Sequence, residues 1–294
     1  MTDASSKRRA LAARVRERRF FAVPGVFDLI SARLADTMGF ECLYMTGYGA
    51  TASYLGLPDA GIATYTQMAD RARTIAEACA TPLIADADTG YGGLLNVHYT
   101  VRGYEAGGVA GIQIEDQEFP KKCGHTPGRR VVPLDDMLNK IKVAVEARRD
   151  PDFLIVARTD ARTGLGLDEA IRRGQAFAEA GADVVFVESP ESAQEFERLG
   201  REIDAPLLAN MVEQGRSPLL DRDTLSRYGF ALAIHPGAGF MAAAEALKQV
   251  YGYLRANGST SGMAQPLYSF EEMNKLMGFE EVWAFDRKWA DTQQ

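Results

Sequence analysis

The sequence predicts a (β/α)8 barrel, an α/β fold in which eight parallel strands alternate with helices around one closed sheet. Three observations support this prediction. The chain has 294 residues, an ordinary length for one such barrel. A unit made of a short apolar run, a polar or glycine-rich turn and an amphipathic helical stretch recurs along it. The runs are apolar throughout rather than alternating, which is typical of parallel strands covered on both faces.

The eight predicted strands are FFAVPG (20–25), CLYMTG (42–47), PLIADAD (82–88), AGIQIED (110–116), FLIVARTD (153–160), DVVFVES (183–189), PLLANM (206–211) and FALAIHP (230–236). Helical patterns lie between them, for example at 65–78, 134–149 and 167–182. Several patterns end at a glycine suited to a helix C-cap, such as Gly39 and Gly181. A doubly wound open sheet shows the same repeat and is the competing architecture.

Polar side chains at the strand ends favour the barrel over the open sheet. From the second predicted strand onward, every strand ends in reactive residues, namely Thr46, Asp86, Asp88, Glu115, Asp116, Arg158, Asp160, Glu188, Asn210 and His235. A barrel gathers the carboxyl ends of all its strands around one mouth, where active sites of this fold lie. An open sheet would spread the same residues along a line.

The chain contains no linker or break in composition, which predicts one barrel domain over 1–294 with a basic N-terminal helix at 5–19 and a C-terminal helical arm at 265–292. Seven basic residues and one acid lie between Lys7 and Arg19. They favour a solvated surface helix; a targeting or anionic-surface role is the alternative.

Composition excludes several classes of function. The net charge of −7 argues against a general nucleic-acid binder. No run approaches the roughly 20 apolar residues of a membrane span, and the N-terminus lacks an apolar signal core. Three cysteines fit a reducing compartment better than a disulfide framework. We therefore expect a cytoplasmic protein without membrane or nucleic-acid partners.

Asp86, Asp88 and Glu115 form the candidate metal site. If the strand continues through Asp88, the two aspartates point to the same side, because alternate residues of a strand share a face. With Glu115 they offer the oxygen ligands that Mg²⁺ prefers, whereas no His/Cys cluster has the spacing of a zinc site. The alternative is that the aspartates cap helices or close turns.

The segment from Glu115 to Arg130 is long for a βα loop, which is typical of an active-site lid. It carries Lys121, Lys122, Cys123 and His125. Lysines and a histidine can lower the pKa of a nearby thiol, so Cys123 is a candidate proton donor or nucleophile. The alternative is a basic surface loop with an incidental cysteine.

Two further features could bind a carboxylate. The backbone N–H groups and hydroxyl of Thr46-Gly47-Tyr48-Gly49 can form an anion cradle, although a glycine-rich turn needs no ligand. Arg158 can hold a carboxylate with two hydrogen bonds, or it can pair internally with Asp160 or Glu188. We interpret His98 as a surface or packing residue and assign His235 only a weak role in the site.

Five segments resemble the isocitrate lyase/phosphoenolpyruvate mutase superfamily: TGYGATASYLGLPDAG, IADADTGYGG, GIQIEDQEFPKKCGH, IVARTDAR and LLANMVEQGRSPL. The Lys-Lys-Cys-Gly-His element resembles the lyase signature, whose cysteine the mutases and the oxaloacetate-type hydrolases lack. The chain looks most like the 2,3-dimethylmalate and 2-alkylmalate lyases, methylisocitrate lyase and carboxyvinyl-carboxyphosphonate phosphonomutase. The resemblance runs from about Phe21 to the last helices.

The resemblance implies roles for the residues of the site. Asp86 would bind Mg²⁺ directly, with Mn²⁺ as an alternative, and Asp88 and Glu115 would hold metal-bound waters. Tyr44 or Lys121 would be the base, and Cys123, with His125 in the same signature, would protonate the departing enediolate. The loop 117–131 would close over the site. The residues that would position the substrate carboxylates are Thr46, Gly47, Tyr48, Gly124, Arg158, Glu188 and Asn210.

The resemblance also suggests a substrate. Met241 and Phe270 stand where methylisocitrate lyases are expected to carry arginines, and Gln113 stands where some isocitrate lyases have a histidine. An unpaired buried carboxylate is costly, so these departures favour a substituted malate such as 2,3-dimethylmalate over a tricarboxylate. The alternatives are a methylisocitrate lyase giving pyruvate and succinate, a phosphonomutase, an oxaloacetate-acting enzyme, against which the cysteine argues, and a non-enzymatic barrel.

The assembly that the resemblance implies is a homotetramer, a dimer of dimers that exchange C-terminal helices. Residues 268–290 carry Trp283, Phe285 and Trp289 at helical spacing and could form the exchanged arm. The alternative is that the arm packs on the barrel of its own chain.

Overall fold

The computed structural model describes residues 3–124 and 128–290, which fall into two compact units. The first lies within Met1–Phe240 and the second within Met241–Gln294. No helix of the described residues is long and apolar enough to cross a membrane.

The first unit is a closed barrel of eight parallel strands. Each strand pairs with the next along the chain, and the last pairs with the first. The strands are β1 (Phe21–Val26), β2 (Leu43–Met45), β3 (Leu83–Asp86), β4 (Gly111–Glu115), β5 (Leu154–Thr159), β6 (Val184–Val187), β7 (Leu207–Asn210) and β8 (Phe230–His235). The predicted (β/α)8 barrel is confirmed, and each strand lies within one residue of its predicted apolar run.

Within residues 3–124 and 128–240, ten helices belong to the barrel unit: α1 (Ala4–Arg16), α2 (Leu29–Asp36), α3 (Gly47–Leu55), α4 (Tyr65–Ala78), α5 (Leu94–Ala106), α6 (Leu134–Ala147), α7 (Ala161–Leu165), α8 (Leu167–Glu179), α9 (Ala193–Glu202) and α10 (Arg222–Arg227). α11 (Ala238–Asn257) begins at the end of this unit and continues into the second. α12 (Phe270–Leu276) and α13 (Phe279–Ala290) complete the second unit.

The barrel buries two apolar layers because alternate strand residues face opposite sides. In β5, Ile155 and Ala157 belong to the larger outer layer between sheet and helices. Leu154 and Val156 belong to the smaller layer inside the barrel. The same alternation directs Arg158, two residues further on, towards the barrel interior at the carboxyl end of the strand.

Helix α1 closes the amino-terminal end of the barrel with its apolar face, whereas most basic residues of the segment 7–19 are exposed, as in a solvated surface helix. Leu11, Ala12 and Val15 are buried in the inner layer. The buried Arg8 donates a hydrogen bond from Nε to the Val109 carbonyl at 3.0 Å. The basic residues of this segment therefore flank an apolar face that seals the inner core.

Side-chain caps fix where the helices around the mouth begin. Thr46 caps α3 by accepting a hydrogen bond from the Gly49 N–H at 3.3 Å. Thr64 and Gln67 form a reciprocal capping box at the start of α4. Such caps satisfy backbone donors that a helix leaves unpaired at its first turn.

Candidate active site

The three predicted metal carboxylates lie together at the carboxyl ends of β3 and β4, and all are buried. Burial, the largest cause, raises the pKa of Asp86, Asp88 and Glu115, that of Asp88 to about 7. Such shifts mean that the site disfavours three separate unneutralised negative charges.

Asp86 and Asp88 are close because the chain turns between them, and not because both belong to a strand, as the sequence had predicted. β3 ends at Asp86, and Asp88 lies in a turn with a left-handed φ of 49°. The Asp88 N–H donates to Asp86 Oδ1 at 3.0 Å, so the turn holds the two carboxyl groups near each other. A non-glycine residue at positive φ is uncommon, and such strain often marks a functional site.

Lys121 is buried, although it lies in the long loop after β4. Its Nζ is 2.7 Å from Asp88 Oδ1 and also contacts Asp59, in the segment between α3 and α4. Burial alone would lower the pKa of Lys121, but the carboxylates of Asp88 and Asp59 raise it well above its ordinary value. No role for Asp59 could be predicted from the sequence, because nothing in the residues around it indicates a contact with a distant lysine.

Arg158 is shared among three carboxylates at the mouth. Nε and Nη2 donate to Asp160, each at 2.9 Å. Nη1 lies 3.3 Å from Glu115, and Nη2 lies 3.4 Å from Glu188. The internal pairing offered above as the alternative for Arg158 is therefore present, and a substrate carboxylate would share this guanidinium with these partners.

Glu188, Asn210 and Ser189 form a connected group on the neighbouring strands. Asn210 Nδ2 donates to Glu188 Oε2 at 2.9 Å, and the Ser189 N–H donates to Glu188 Oε1 at 2.7 Å. The Ser189 hydroxyl donates to the Gly124 carbonyl at 3.1 Å, which ties the loop to the barrel. Ser189, at a φ of 60°, was not predicted; positive φ cannot be read from sequence for a serine.

Glycines allow two close approaches at the mouth. A Cβ on Gly47 would lie 2.4 Å from Asp86 Oδ2, and a Cβ on Gly124 would lie 2.4 Å from Arg158 Nη2. Thr46 and Gly47 are buried beside the carboxylates, whereas Tyr48 is exposed and its ring packs on Phe240. Of the predicted anion cradle, Thr46 and Gly47 therefore lie in the site, and Tyr48 lies at its exposed edge.

Tyr44 lies inside the barrel, beneath the carboxylates. Its hydroxyl donates to Gln113 Oε1 at 2.9 Å. Burial and then the charge of Asp86 raise the pKa of Tyr44 well above its ordinary value, so the phenol is protonated near neutral pH. Both candidate bases, Tyr44 and Lys121, therefore carry a proton in this structure.

The loop that carries Cys123 returns along itself as a two-stranded stem. Gln117 pairs with Val131 in an antiparallel bridge, and the Glu118 N–H donates to the Arg130 carbonyl at 2.9 Å. Arg129 forms a buried ion pair with Asp160, and Cys123 is half-buried. His125 lies outside the described residues.

Four further positions singled out in the sequence lie outside this group of contacts or in the second unit. His98 lies on α5 with its ring against Tyr99. His235 is partly buried at the end of β8, and desolvation lowers its pKa. Met241 and Phe270 are both exposed and belong to the second unit.

The donor set fits a hard divalent cation. Lys121 serves two carboxylates and Arg158 serves three, so negative groups outnumber the cations beside them. No three His, Cys, Asp or Glu side chains among the described residues are grouped closely enough to enclose a metal. A cation held by a single carboxylate and several waters, the usual habit of Mg²⁺, is compatible with both facts.

Comparison with known proteins places the chain in a family. A family model for phosphoenolpyruvate phosphomutase matches residues 11–254. The 2,3-dimethylmalate lyase of Eubacterium barkeri is 46% identical over 95% of this chain and 98% of its own. The 2-methylisocitrate lyase of Bacillus subtilis (strain 168) is 40% identical over 92% of this chain and 89% of its own.

Solved structures agree. An oxaloacetate acetylhydrolase bound to 3,3-difluorooxalacetate superposes with a TM-score of 0.92 at 36% identity, covering 98% of this chain and 99% of that one. A 2,3-dimethylmalate lyase of the phosphoenolpyruvate mutase/isocitrate lyase superfamily gives 0.90 at 35% identity, covering 98% and 96%. A phosphonopyruvate hydrolase in complex with oxalate and Mg²⁺ gives 0.87 at 32% identity, covering 97% and 99%. The resemblance found in the sequence is thus confirmed: the chain belongs to the phosphoenolpyruvate phosphomutase family and is an enzyme, a carbon–carbon lyase of the phosphoenolpyruvate mutase/isocitrate lyase superfamily.

Proposed function

We propose that this enzyme cleaves a substituted malate, with 2,3-dimethylmalate as the preferred candidate, into a 2-keto acid and a second carboxylic acid. The observation that supports this most is the attachment of the loop on both sides of Cys123. Lys121 contacts Asp88, and the Gly124 carbonyl accepts from Ser189, so the segment that carries Cys123 is attached to the mouth of the barrel on both sides of the thiol.

Asp86 is the proposed direct ligand of Mg²⁺ or Mn²⁺, and Asp88 and Glu115 are proposed to hold its waters. When bound, the cation would lower the pKa of the substrate's 2-hydroxyl and offset the negative charge that develops in cleavage. The similar phosphonopyruvate hydrolase was solved in complex with oxalate and Mg²⁺, which supports this choice of metal.

The side chains would then move two protons. Tyr44 or Lys121 would take the proton of the 2-hydroxyl, after first losing its own proton to the solvent. Breaking the bond between carbons 2 and 3 of 2,3-dimethylmalate leaves pyruvate and the enediolate of propionate, and Cys123 would donate its proton to that enediolate carbon. Arg158, with Thr46, Gly47, Tyr48, Gly124, Glu188 and Asn210, would orient the carboxylates.

The substituted malate is preferred because uncharged Met241 and Phe270 stand where the resemblance to methylisocitrate lyases implies arginines for a third carboxylate. The identity to a 2,3-dimethylmalate lyase supports the same choice. We also propose a cytoplasmic location, because three cysteines are too few for a disulfide framework, and a homotetramer.

The test is release of 2-keto acid from a panel of acids. Purified enzyme with Mg²⁺ is offered 2,3-dimethylmalate, 2-methylmalate, 2-ethylmalate, 2-methylisocitrate, isocitrate and oxaloacetate. We expect turnover of an alkylmalate that EDTA abolishes and Mg²⁺ restores. We expect Cys123→Ser to lower kcat by at least about a hundredfold, the usual scale of a positioned proton donor.

Cys79→Ser is the matched control, because Cys79 is a buried thiol at the end of α4, away from the mouth. It should keep kcat within about twofold of the unmodified enzyme, as expected for a residue without contact to the site. Preference for 2-methylisocitrate would contradict the substrate assignment. No release of 2-keto acid from any of the six acids, together with rearrangement of a phosphonate detected by ³¹P spectroscopy, would favour the phosphonomutase instead.

A further inference from the structure

The side-chain amide of Gln113 is only half satisfied, although the residue is completely buried. Its Oε1 accepts from the Tyr44 hydroxyl at 2.9 Å. Its Nε2 has no hydrogen-bond partner among the described residues. An unsatisfied buried donor costs about 1–3 kcal/mol, so native proteins keep few of them, often where a ligand binds.

The position of Gln113 directs this amide towards the proposed site. On β4, Ile112 and Ile114 belong to the outer apolar layer, so Gln113 and Glu115 face the barrel interior. In register, Gln113 lies opposite Asp86 on β3. The amide therefore occupies the level of the barrel immediately below Glu115 and beside the proposed metal ligand.

Tyr44 defines how the amide is turned. Because the phenol donates to Oε1, the other end of the amide, Nε2, is directed away from that hydroxyl and remains available as a donor. In register, Tyr44 on β2 lies opposite Ile84 and Gln113 on β4 lies opposite Asp86, so the pair flanks β3 just below its carboxyl end. The unfilled hydrogen-bonding position thus belongs to a side chain that lies opposite Asp86, the proposed metal ligand.

We propose that Gln113 is a substrate-binding residue whose Nε2 donates a hydrogen bond to an oxygen of the bound hydroxy acid or of its keto-acid product. The identity of that ligand rests on the proposed function; the presence of an oxygen acceptor does not. A buried donor that is paired only in the complex contributes to discrimination, because an analogue without the oxygen leaves the donor unpaired. Gln113 would therefore help to select an oxygen-rich ligand over an alkyl group at this point of the site.

Gln113→Met keeps the length of the side chain and removes its hydrogen bonds. We expect it to weaken binding of oxalate, measured by calorimetry with Mg²⁺ present, by about ten- to a hundredfold, the usual worth of a hydrogen bond to a charged acceptor. The kcat/KM for 2,3-dimethylmalate should fall by a similar factor. Oxalate is the probe because it is not consumed, so its binding does not depend on turnover.

Thermal unfolding without ligand separates this role from a structural one. The double variant Tyr44→Phe/Gln113→Met removes the whole hydrogen-bonded pair, and its Tm should equal or exceed that of the unmodified enzyme. Gln117→Met is the matched control. The buried Gln117 amide donates to Glu115 and to the Lys122 carbonyl and accepts from the Lys122 N–H, so its loss should lower Tm.

The proposal is overturned if Gln113→Met binds oxalate within twofold of the unmodified enzyme, if the unmodified enzyme does not bind oxalate, or if the double variant loses Tm as Gln117→Met does. Weakened oxalate binding by Gln113→Met, in an enzyme that cleaves no alkylmalate, would support the role of Gln113 and reject the proposed substrate.

Discussion

Glycine at position 47 leaves the space that the Asp86 carboxylate occupies. A methyl group there would lie 2.4 Å from Oδ2, closer than two such atoms approach in proteins. Because Oδ2 is the far end of a side chain, Asp86 can move aside at little cost to the fold. The displaced carboxylate is, however, the one proposed to bind the metal directly.

Gly47→Ala should therefore separate metal binding from stability. We expect the free energy of unfolding to change by no more than about 1 kcal/mol, as for a substitution that one side chain can accommodate. The Mg²⁺ concentration that half-activates the enzyme should rise at least about tenfold, as when a ligand's support is lost.

Gly93→Ala is the control for this prediction, since Gly93 lies at the start of α5 and a Cβ there meets nothing within 4 Å. Both quantities are read from denaturant unfolding and from Mg²⁺ titration of activity. Unchanged Mg²⁺ activation in Gly47→Ala would contradict the assignment of Asp86 as the direct ligand.

At the scale of the element, the loop 117–131 is attached to the barrel by one buried cationic side chain on each side of Cys123. Lys121, before Cys123, reaches Asp88, and Arg129, after it, reaches Asp160 and the Thr163 hydroxyl. Asp160 also holds Arg158 with two hydrogen bonds. One carboxylate thus connects the return stem of the loop with the guanidinium proposed to bind substrate.

Adjacent arginines in this stem provide a matched pair. Arg129→Gln removes a buried partner of Asp160 and should cost about 1–3 kcal/mol, less than a lone buried pair because Arg158 remains. Arg130→Gln removes only an exposed pair with Glu118, worth no more than about 0.5 kcal/mol. Cleavage by trypsin after the exposed Lys122 should accelerate in Arg129→Gln and not in Arg130→Gln.

Each of these variants loses one tryptic site, so the comparison between them is balanced. KM should rise more in Arg129→Gln than in Arg130→Gln. Without Arg129, the full charge of Asp160 would act on Arg158 and compete with a substrate carboxylate for its guanidinium. Equal rates of cleavage in the two variants would mean that the Arg129–Asp160 pair does not secure the stem.

At the scale of the whole molecule, the barrel and many of the residues at its mouth could be predicted from the sequence, because both follow from the recurring apolar runs. Continuous apolar runs predicted the strands, and polar residues at their ends predicted which side chains meet. Burial of individual loop residues has no such signal. Nothing in Lys121-Lys122 indicates that the first is buried and the second exposed.

The contacts that the sequence did not predict join residues far apart in the chain. Asp59 lies 62 residues before its partner Lys121, and Arg129 lies 31 residues before Asp160. The turn at Asp88 and the unpaired Nε2 of Gln113 depend on backbone angles and on exact packing. Such features follow from the closed fold and cannot be read from residue spacing.

The second unit bears on assembly. None of the residues in α11, α12 or α13 is buried, although Trp283 and Phe285 are large and apolar. Trp283 packs on Phe279 and Phe285 packs on Trp289, which gives two exposed aromatic pairs on α13. Burying apolar surface stabilises by about 25 cal/mol per Å², so exposed aromatic clusters are typical of contact surfaces. We expect a mass in solution of four times the 32.1 kDa chain, measured by light scattering.

Trp283→Ser/Phe285→Ser should shift this mass towards smaller species as the protein is diluted, because the lost aromatic area would no longer offset the entropy of association. Met38→Ser, which changes an exposed apolar residue in the turn after α2, is the control and should keep the full mass. A tetramer that both variants retain would reject Trp283 and Phe285 as contact residues. A monomer in the unmodified enzyme would reject the tetramer itself, and loss of activity on dilution of the double variant would show that assembly supports the site.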